Sequence, residues 1–223
     1  MISKLFVLPY FGDLPPWMDL WHANVAELAA HGYDVLLDHD EDSFRQRVRD
    51  RLGVECPPMS GTGKTWDYRP ALGVLYDNEI ASYDFWGHTD LDCVYGRVER
   101  WVTDEFLAGI DMHSNCVAYM NGCWSLYRNT ATVDNAFTEV RGWQEYLTTP
   151  EPTGWGETVY SEQLSEMHSE GRLRKAWTQW QVFDPHELAC LRRLPDRRLI
   201  SDGVEVMMCH FRRTKTYPQG CIL

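Results

Sequence analysis

The chain has 223 residues, of which 44% are hydrophobic and 13% aromatic, so it can build one substantial core, and its composition excludes a disordered protein. Seven cysteines without a C-x-x-C pair exclude a zinc ribbon and a dithiol redox motif. No apolar run approaches the length of a membrane span, and Pro9 interrupts the first apolar stretch before a signal peptide can form. We therefore expect a single-domain cytoplasmic protein over residues 1–223, with reduced thiols.

Charge is distributed unevenly along the chain. The net charge of −12 combines −17 over residues 1–170 with +5 over residues 171–223, where ten Lys and Arg accompany five Asp and Glu. The basic segment ends with Arg212, Arg213 and Lys215. It is either an ordinary surface whose charges sort by position or a basic face for an anionic partner, such as a nucleotide diphosphate, an anionic lipid or a nucleic acid.

The first forty residues predict a strand, a helix and a second strand. Residues 4–9 form a short apolar run that ends at proline, which is typical of a buried parallel strand. Apolar positions recur at helical spacing over residues 17–30, and Gly32 is a suitable stop signal. Residues 33–38 are again apolar and predict the second strand. This βαβ order is typical of a nucleotide-binding α/β layer.

Residues 42–80 contain a misleading phosphate-binding pattern between two predicted helices. An Arg-rich amphipathic helix is predicted over residues 42–52, and a second helix over residues 66–80. Between them, Ser60-Gly-Thr-Gly-Lys-Thr65 resembles a P-loop, but position 58 is proline where that motif requires glycine. No clean apolar strand precedes it either, so the sequence argues against an ATPase.

The stretch from Tyr83 to Asp92 carries the strongest chemical signal. It begins as an apolar and aromatic run that suits a buried strand and ends in two aspartates one residue apart. Because side chains alternate along a strand, Asp90 and Asp92 are predicted to point the same way. Two carboxylates on one face can share a hard divalent cation and leave coordination sites for phosphate oxygens. The alternative is a hairpin or loop with two solvated acids.

The second half predicts shorter elements. The patterns indicate helices over residues 97–107 and 132–146, a strand or loop over residues 111–117, and a strand that enters a turn over residues 122–130. The Pro- and Gly-rich residues 148–156 are typical of an active-site lid. Residues 177–200 are predicted to be an irregular appendage, and residues 204–211 a last strand.

Two segments resemble the core of a small group of bacterial and viral glycosyltransferase-like proteins. They are Lys64-Thr-Trp-Asp-Tyr-Arg-Pro-Ala-Leu-Gly73 and Tyr83-Asp-Phe-Trp-Gly-His-Thr-Asp-Leu-Asp-Cys-Val-Tyr-Gly96. The wider relatives are GT-A-type glycosyltransferases. The resemblance is weaker over residues 8–15, 126–130 and 209–212, and it implies an α/β, GT-A-like fold. Such a fold has a mainly parallel sheet flanked by helices and a nucleotide-sugar site at the carboxyl ends of the strands.

The resemblance also implies roles for individual residues. Residues 1–96 would form the donor half, and residues 97–223 the acceptor half with the basic segment. The residues implied for nucleotide-sugar binding are Pro9, Tyr10, Phe11, Gly12, Lys64, Asp67, Arg69 and Asp90. The divalent metal, Mn²⁺ or Mg²⁺, would be held by Asp90, Asp92 and His210, although His210 is equally well read as an ordinary strand-end histidine. An inverting reaction needs a carboxylate base, for which Glu162 is the first candidate and Glu157 the second.

The resemblance implies transfer of a sugar from a nucleotide-sugar, first of all a UDP-sugar, to an acceptor hydroxyl of a glycan. A second acceptor is a hydroxymethylated pyrimidine in DNA, as small phage glycosyltransferases use, and the basic segment and abundant aromatic residues suit it. The charge of −17 over the rest of the chain argues against a broad DNA footprint. From another class, the chain could be a non-catalytic nucleotide-sugar binder. The cytoplasm would be that of a bacterium or a phage-infected host.

Overall fold

The fold is organised around a six-stranded sheet with the order β2-β1-β3-β6-β5-β7. The structure is a computed structural model, and it describes residues 1–61, 63–183 and 191–211. In chain order the strands are β1 (Lys4–Pro9), β2 (Tyr33–Asp38), β3 (Phe85–Thr89), β4 (Cys93–Tyr95), β5 (Met112–Ser114), β6 (Trp124–Arg128), β7 (Lys175–Trp177), β8 (Gln181–Phe183), β9 (Leu191–Arg193), β10 (Leu199–Ser201), β11 (Val204–Val206) and β12 (Met208–His210).

Helices cover both faces of this sheet. They are α1 (Met18–Ala29), α2 (Glu41–Leu52), α3 (Leu72–Leu75), α4 (Asp77–Ile80), α5 (Asp104–Ala108), α6 (Ala131–Asp134), α7 (Trp143–Thr148) and α8 (Val159–Ser169), with 3₁₀ helices at Lys64–Ala71, Val98–Arg100 and Ala136–Glu139. Strand β1 shows why two layers form. Its residues alternate between the faces, so that Val7 packs in the core that contains Phe44 of α2, and Phe6 in the core that contains Trp21 of α1.

The strand directions confirm the predicted α/β class with a mostly parallel central sheet. Strand β1 is parallel to both β2 and β3, and β5 is parallel to β7. Strand β6 is the exception, because it runs antiparallel to β3 and to β5. Since β1 and β3 run the same way, their carboxyl ends lie at the same edge of the sheet. Open α/β sheets usually bind ligands at that edge.

Two small sheets complete the described part of the chain. Strand β12 pairs antiparallel with β4 and parallel with β8, and β10 pairs antiparallel with β9 and β11. The prediction of one final strand over residues 204–211 is therefore wrong in detail, because the chain leaves one sheet at Val206 and enters the other at Met208. Residues 177–183 and 191–200 contribute short strands where an irregular appendage was predicted over 177–200, and residues 184–190 of that prediction lie outside the described residues.

Several long predicted helices are divided into short ones. Residues 66–80 form the end of a 3₁₀ helix followed by α3 and α4, since Pro70 lacks an N–H for a helical hydrogen bond. Gly73 also lies against the indole of Trp86, so closely that a Cβ would come within 2.7 Å of its ring. Residues 132–146 are divided at Asn135 and at Gly142, whose φ of 76° is left-handed. By contrast, α1, β2 and α2 begin and end within a residue of the predicted bounds.

The described helices are also relevant to membrane association. The longest, α1 and α2, have 12 residues each. None of the helices in residues 1–61, 63–183 and 191–211 is both long and apolar enough to cross a bilayer.

Candidate functional site

A narrow cleft opens at the carboxyl ends of β1 and β3. Its volume is about 50 Å³, and the 3₁₀ helix Lys64–Ala71 forms its third wall. The lining residues are Val7, Leu8, Pro9, Tyr10, Thr65, Trp66, Arg69, Leu72, His88, Thr89, Asp90 and Leu91. Residues implied by the two motif segments therefore meet at one place, although they are distant in sequence.

Arg69 and Asp90 form an ion pair across the cleft. Nη2 of Arg69 donates a hydrogen bond to Oδ1 of Asp90, and both side chains are largely shielded from water. The guanidinium lies directly against the backbone of Gly122, where any Cβ would collide with Nη1 of Arg69. Glycine at position 122 thus allows the arginine to reach the end of β3, and the pair offsets the charge of Asp90.

Asp90 and Asp92 lie in the turn between β3 and β4, just beyond the end of the strand. The prediction that both sit on a strand is wrong, because β3 ends at Thr89. Their carboxylates nevertheless converge on one imidazole. Nε2 of His210 lies 3.1 Å from Oδ1 of Asp92 and 3.6 Å from Oδ2 of Asp90. The structure thus brings together the three residues that the sequence assigned to a metal.

Strand pairing accounts for the position of His210. It is paired with Cys93 in the antiparallel register of β12 and β4, and the N–H of Phe211 donates to the carbonyl of Asp92 at 2.9 Å. Burial alone would lower the pKa of His210, but the acidic groups Cys93, Asp92 and Asp90 together raise this pKa to about 9. A positive charge, whether a proton or a cation, is therefore favoured among these side chains.

The turn itself is held by hydrogen bonds of four side chains from the surrounding elements. The indole Nε1 of Trp17 donates to the carbonyl of Leu91 at 2.8 Å. The hydroxyls of Thr89 and Tyr95 are 2.6 Å apart. The side-chain amide of Asn24 exchanges two hydrogen bonds with the backbone of Tyr95, at 3.0 and 2.7 Å. Because these bonds are buried or half-buried, they present the two aspartates in a fixed arrangement.

Asp92, Cys93 and His210 form an Asp–Cys–His cluster that could hold a metal ion. Each offers one ligand atom, and these atoms all lie within 4.8 Å of one another. All three residues are buried. A carboxylate oxygen, a thiol sulfur and an imidazole nitrogen are donors that divalent transition metals accept. The residues present therefore fit a divalent ion, with Asp90 beside them on the cleft side.

Lys64 and Asp67 are placed apart from the other predicted site residues. They form an ion pair with Nζ and Oδ2 2.8 Å apart, and both side chains are 0% exposed. Lys64 Nζ also donates to the carbonyls of Tyr146 and Glu151, at 2.6 and 3.2 Å. Direct contact between this ammonium and a phosphate would require these contacts to open. Both residues belong to the 3₁₀ helix Lys64–Ala71, but neither lines the cleft.

The loop predicted as a lid is anchored to the same aspartate. The N–H groups of Thr153 and Gly154 donate to the two carboxylate oxygens of Asp67, at 2.8 and 2.9 Å. The indole of Trp155 donates to the Asp67 carbonyl at 2.7 Å. These bonds tie residues 153–155 to the helix that carries Arg69, so Asp67 couples the loop to the cleft wall.

The two predicted acid/base carboxylates differ in position. Oε1 of Glu157 accepts a hydrogen bond from the N–H of Gly122 at 3.1 Å, on the backbone that also supports the Arg69 guanidinium. Glu162 lies in the first turn of α8, and both glutamates are exposed residues that do not line the cleft. The structure therefore brings Glu157, the second candidate, closer to the other site residues.

The four residues predicted after β1 have separate positions. Pro9 and Tyr10 line the cleft. Phe11 is buried in the core, with its ring centroid 5.3 Å from that of Phe44. Gly12 is exposed with a φ of 143°, a conformation that other residues rarely adopt. Two of the four predicted residues can therefore meet a ligand in the cleft directly.

Sequence reasoning missed two cleft residues with aromatic rings, Trp66 and His88. Trp66 is 57% exposed and lines the cleft, although its position between Lys64 and Asp67 of the motif could have singled it out. His88 is fully buried, with Nδ1 3.0 Å from the carbonyl of Gly122. Burial and the nearby Arg69 hold the pKa of His88 well below its usual value. Its position two residues before Asp90 in the predicted strand was the available signal.

A larger open depression, of about 710 Å³, lies beyond Tyr10. It is lined by Asp38, His39, Asp40, Glu41 and Asp42. Its four carboxylates would repel a diphosphate, whereas the smaller cleft offers Arg69. The smaller cleft is therefore the better candidate for an anionic ligand.

The basic segment does not form a free cationic face in the part that the structure describes. Arg193 and Arg197 both bond Glu27, and Arg172 bonds Glu139. Arg174 bonds Asp111. Arg212, Arg213 and Lys215 lie outside the described residues. Much of the positive charge at 172–198 is therefore used to hold the C-terminal part against acidic residues earlier in the chain.

Comparison with solved structures identifies a similar fold. A crystal structure of a glycosyltransferase involved in the glycosylation of the major capsid of PBCV-1 is similar with a TM-score of 0.51 and 12% sequence identity, over 93% of this chain and 92% of that chain. The structure of A197 from STIV has a TM-score of 0.37 and 15% identity, over 92% of this chain and 96% of that chain. The first comparison shows that the chain has a glycosyltransferase-like fold.

Sequence comparison identifies the family. No curated protein matches the sequence. The model of one family matches residues 6–186, which include the motif segments, most of β1, the strands β2 to β8 and the cleft. The chain therefore belongs to DUF6625, a family of unknown function.

Proposed function

We propose that this chain is a metal-dependent glycosyltransferase that moves a sugar from a nucleotide-sugar, first of all a UDP-sugar, to an acceptor hydroxyl. The observation that carries the proposal is the convergence of Asp90, Asp92 and His210 beside Arg69 at the carboxyl ends of parallel strands. A glycosyltransferase-like fold supports it. Fold alone does not fix an activity, so the argument depends on the side chains at the cleft.

The metal would be a divalent ion, Mn²⁺ or Mg²⁺, held by the aspartates and His210. When bound, such an ion neutralises the charge that develops on a diphosphate leaving group. Asp90 has one oxygen toward Arg69 and the other toward His210. The Arg69 guanidinium lines the cleft beside Asp90. From this position it can donate a hydrogen bond to a phosphate oxygen, and it adds a fixed positive charge to the site.

The nucleoside would lie over Pro9 and Tyr10, with Trp66 as its stacking surface. An exposed indole next to a cationic group suits a flat base, because every base has a π-face. Phe11 supports this region from the core. The enclosed volume is small, so a nucleotide-sugar would extend across the rim of the cleft as well as into it.

Lys64 and Asp67 take a positioning role in this proposal. Their buried pair and the bonds from Thr153 and Gly154 fix the 3₁₀ helix that carries Trp66 and Arg69. Residues 1–96 then supply the donor half of a single domain, and residues 97–223 the acceptor half. In that half, Glu157 is better placed than Glu162 to deprotonate an acceptor. Its carboxylate accepts a hydrogen bond from the N–H of Gly122, and the Arg69 guanidinium lies against the same glycine.

A glycan hydroxyl is the acceptor that the described residues favour. A hydroxymethylated base in DNA would need cations that follow a phosphate backbone, whereas several arginines of the basic segment are paired with carboxylates within the chain. A non-catalytic nucleotide-sugar binder would need the donor site but no carboxylate base. The position of Glu157 beside Gly122 and Arg69 supplies such a base and favours an enzyme.

The test is a thermal-shift panel of nucleotide-sugars with and without Mn²⁺ and Mg²⁺, followed by calorimetry of the best ligand. We expect a metal-dependent shift with one nucleotide, and at least a tenfold loss of affinity, about 1.4 kcal/mol, in Asp92→Asn. Asp50→Asn is the matched control, because Asp50 is exposed on α2 and bonds Gln46. Binding of no nucleotide-sugar under any condition, or equal affinity in Asp92→Asn, would refute the proposal.

A further inference from the structure

The Asp–Cys–His cluster contains a sulfur ligand that the Asp-x-Asp motif does not foresee. We infer that Cys93 is a direct ligand of the metal ion, and that the site consequently prefers a thiolate-accepting transition metal such as Zn²⁺ or Co²⁺ to Mn²⁺, and Mn²⁺ to Mg²⁺. This inference rests on the metal site of the proposed function and deepens it, but it does not depend on which sugar is transferred.

The strand register places Cys93 on the correct side. Cys93 and His210 are directly opposite each other in the antiparallel pair of β4 and β12, and opposite residues point to the same face of a sheet. Asp92 precedes Cys93 at the end of the turn, and its carboxylate reaches the same imidazole at 3.1 Å. The sulfur, the oxygen and the nitrogen all lie within 4.8 Å of one another. One ion can therefore touch all three donors after small adjustments of their side chains.

The depth of each donor defines two sides of the site. Cys93 is 0% exposed, with Sγ against the carbonyl of Cys123, so it forms the inner side. Asp90 lies on the outer side and shares its carboxylate between His210 and Arg69. Among the described residues, Asp92, Cys93 and His210 supply three protein ligands, which is the usual number at a catalytic transition-metal site. Asp90 lines the cleft and marks the side of the cluster where a diphosphate would bind.

The donor set determines the choice of metal. Mg²⁺ requires oxygen ligands in near-octahedral geometry and keeps its waters, so a buried sulfur and an imidazole do not suit it. Affinity at a mixed nitrogen, oxygen and sulfur site rises from Mn²⁺ through Co²⁺, and Zn²⁺ takes thiolate and imidazole together readily. The thiol loses its proton to solvent when it coordinates, because a bound thiolate is the ligand form. Cys93 would thus order the metals as Zn²⁺ and Co²⁺ above Mn²⁺, with Mg²⁺ last.

The test is a titration of the full-length chain with Co²⁺, followed by ultraviolet and visible absorption. We expect a sulfur-to-cobalt charge-transfer band in the near ultraviolet at one Co²⁺ per chain, and displacement of this band by Zn²⁺. Cys93→Ser should lose the band and bind Co²⁺ at least tenfold more weakly. Cys209→Ser should keep it, since Cys209 is a buried neighbour of His210 on β12 that pairs with Val94.

A second measurement covers the case in which Cys93→Ser does not fold. X-ray absorption of the wild-type chain loaded with Zn²⁺ should show one sulfur at about 2.3 Å together with nitrogen and oxygen ligands at about 2.0–2.2 Å. A shell without sulfur, or an unchanged Co²⁺ band in a folded Cys93→Ser variant, would overturn the inference. Either result leaves the glycosyltransferase proposal standing if nucleotide-sugar binding still needs a metal. Conversely, a sulfur-bound ion with no nucleotide-sugar binding would defeat that proposal alone.

Discussion

Replacing Gly122 by alanine should disable the cleft at a small cost in stability. A Cβ at this position would collide with Nη1 of Arg69 and would come within 3.0 Å of Oε1 of Glu157. Non-bonded atoms separate to about 3.5–4.0 Å, so the guanidinium must move by about 1 Å or more. That movement breaks its hydrogen bond to Asp90 and removes it from the position where a diphosphate would meet it.

The magnitude follows from what is lost. Arg69 ends in a flexible guanidinium that can turn aside, so we expect the free energy of unfolding to fall by only about 1 kcal/mol. A charge-assisted hydrogen bond to a phosphate is worth about 1.5–3 kcal/mol, which corresponds to a loss of roughly 10- to 150-fold in nucleotide-sugar affinity. The assay is calorimetry with the best ligand of the panel in the presence of its metal. Urea unfolding of the same samples gives the stability.

Two comparisons make this prediction specific. Gly109→Ala is the matched control, because the nearest atom to its Cβ would be the carbonyl of Phe106 at 3.5 Å, an ordinary contact. It should bind as the wild type does. In an Arg69→Ala background, adding Gly122→Ala should cost little further affinity, since both changes remove the same interaction. Wild-type affinity in Gly122→Ala, or fully additive losses in the double variant, would refute the assignment of Arg69 to the ligand.

Three further predictions test the surrounding structure and chemistry. Burial raises the pKa of Asp134 to about 6, so the folded state binds this proton more tightly than the unfolded chain does. The free energy of unfolding should therefore fall as the pH rises from about 4 to about 6. Asp134→Asn, which keeps an acceptor for the Trp86 indole, should stabilise the protein by about 1–2 kcal/mol at pH 8 and by about half as much at pH 5, measured by urea unfolding; an equal effect at both pH values would contradict this. Lys64→Met leaves the buried Asp67 without its cation and should lower the free energy of unfolding by about 3–5 kcal/mol. Arg198→Met, which breaks an exposed pair with Asp196, should leave it nearly unchanged. Glu157→Gln should slow sugar transfer by about 100-fold or more with nucleotide-sugar affinity unchanged, whereas Glu162→Gln should be neutral; the reverse order would restore Glu162 as the base.

The sequence predicts the first part of the fold well because its signals there are local. Strand β1, helix α1 and strand β2 each have an apolar period and a Pro or Gly at the boundary, so neighbours in sequence decide their bounds. The regions predicted as single long helices fail where tertiary contacts decide. The Cα of Gly73 lies beneath the indole of Trp86, and Gly142 adopts a left-handed φ. Neither constraint can be read from helical periodicity alone.

The candidate site shows the same division between motif and packing. The Asp-x-Asp pattern identifies residues that do converge on His210, even though the predicted strand ends before them. Trp66 and Cys93 lie within the motif segments, but the sequence does not show that Trp66 is exposed and Cys93 buried. The exposure of Trp66 allows it to stack on a ligand, and the burial of Cys93 places its thiol beside His210. Glu157 and Glu162 are only five positions apart, so their order of preference depended on which one meets Gly122.

The position of Lys64 explains how a motif residue can matter without touching a ligand. Its ammonium neutralises Asp67 and bonds two carbonyls of the chain around residues 146–151, while Asp67 holds the N–H groups of Thr153 and Gly154. A buried charge pair with this many partners has one favourable arrangement, since any displacement leaves a charge or an N–H without a partner in a poorly solvated place. These contacts therefore hold the 3₁₀ helix that carries Trp66 and Arg69 in one position. Glu157 comes shortly after the anchored residues 153–155, so its position relative to Arg69 is held as well. Lys64 and Asp67 of the motif thus hold the cleft wall in place, whereas Trp66 and Arg69 supply its contacts to a ligand.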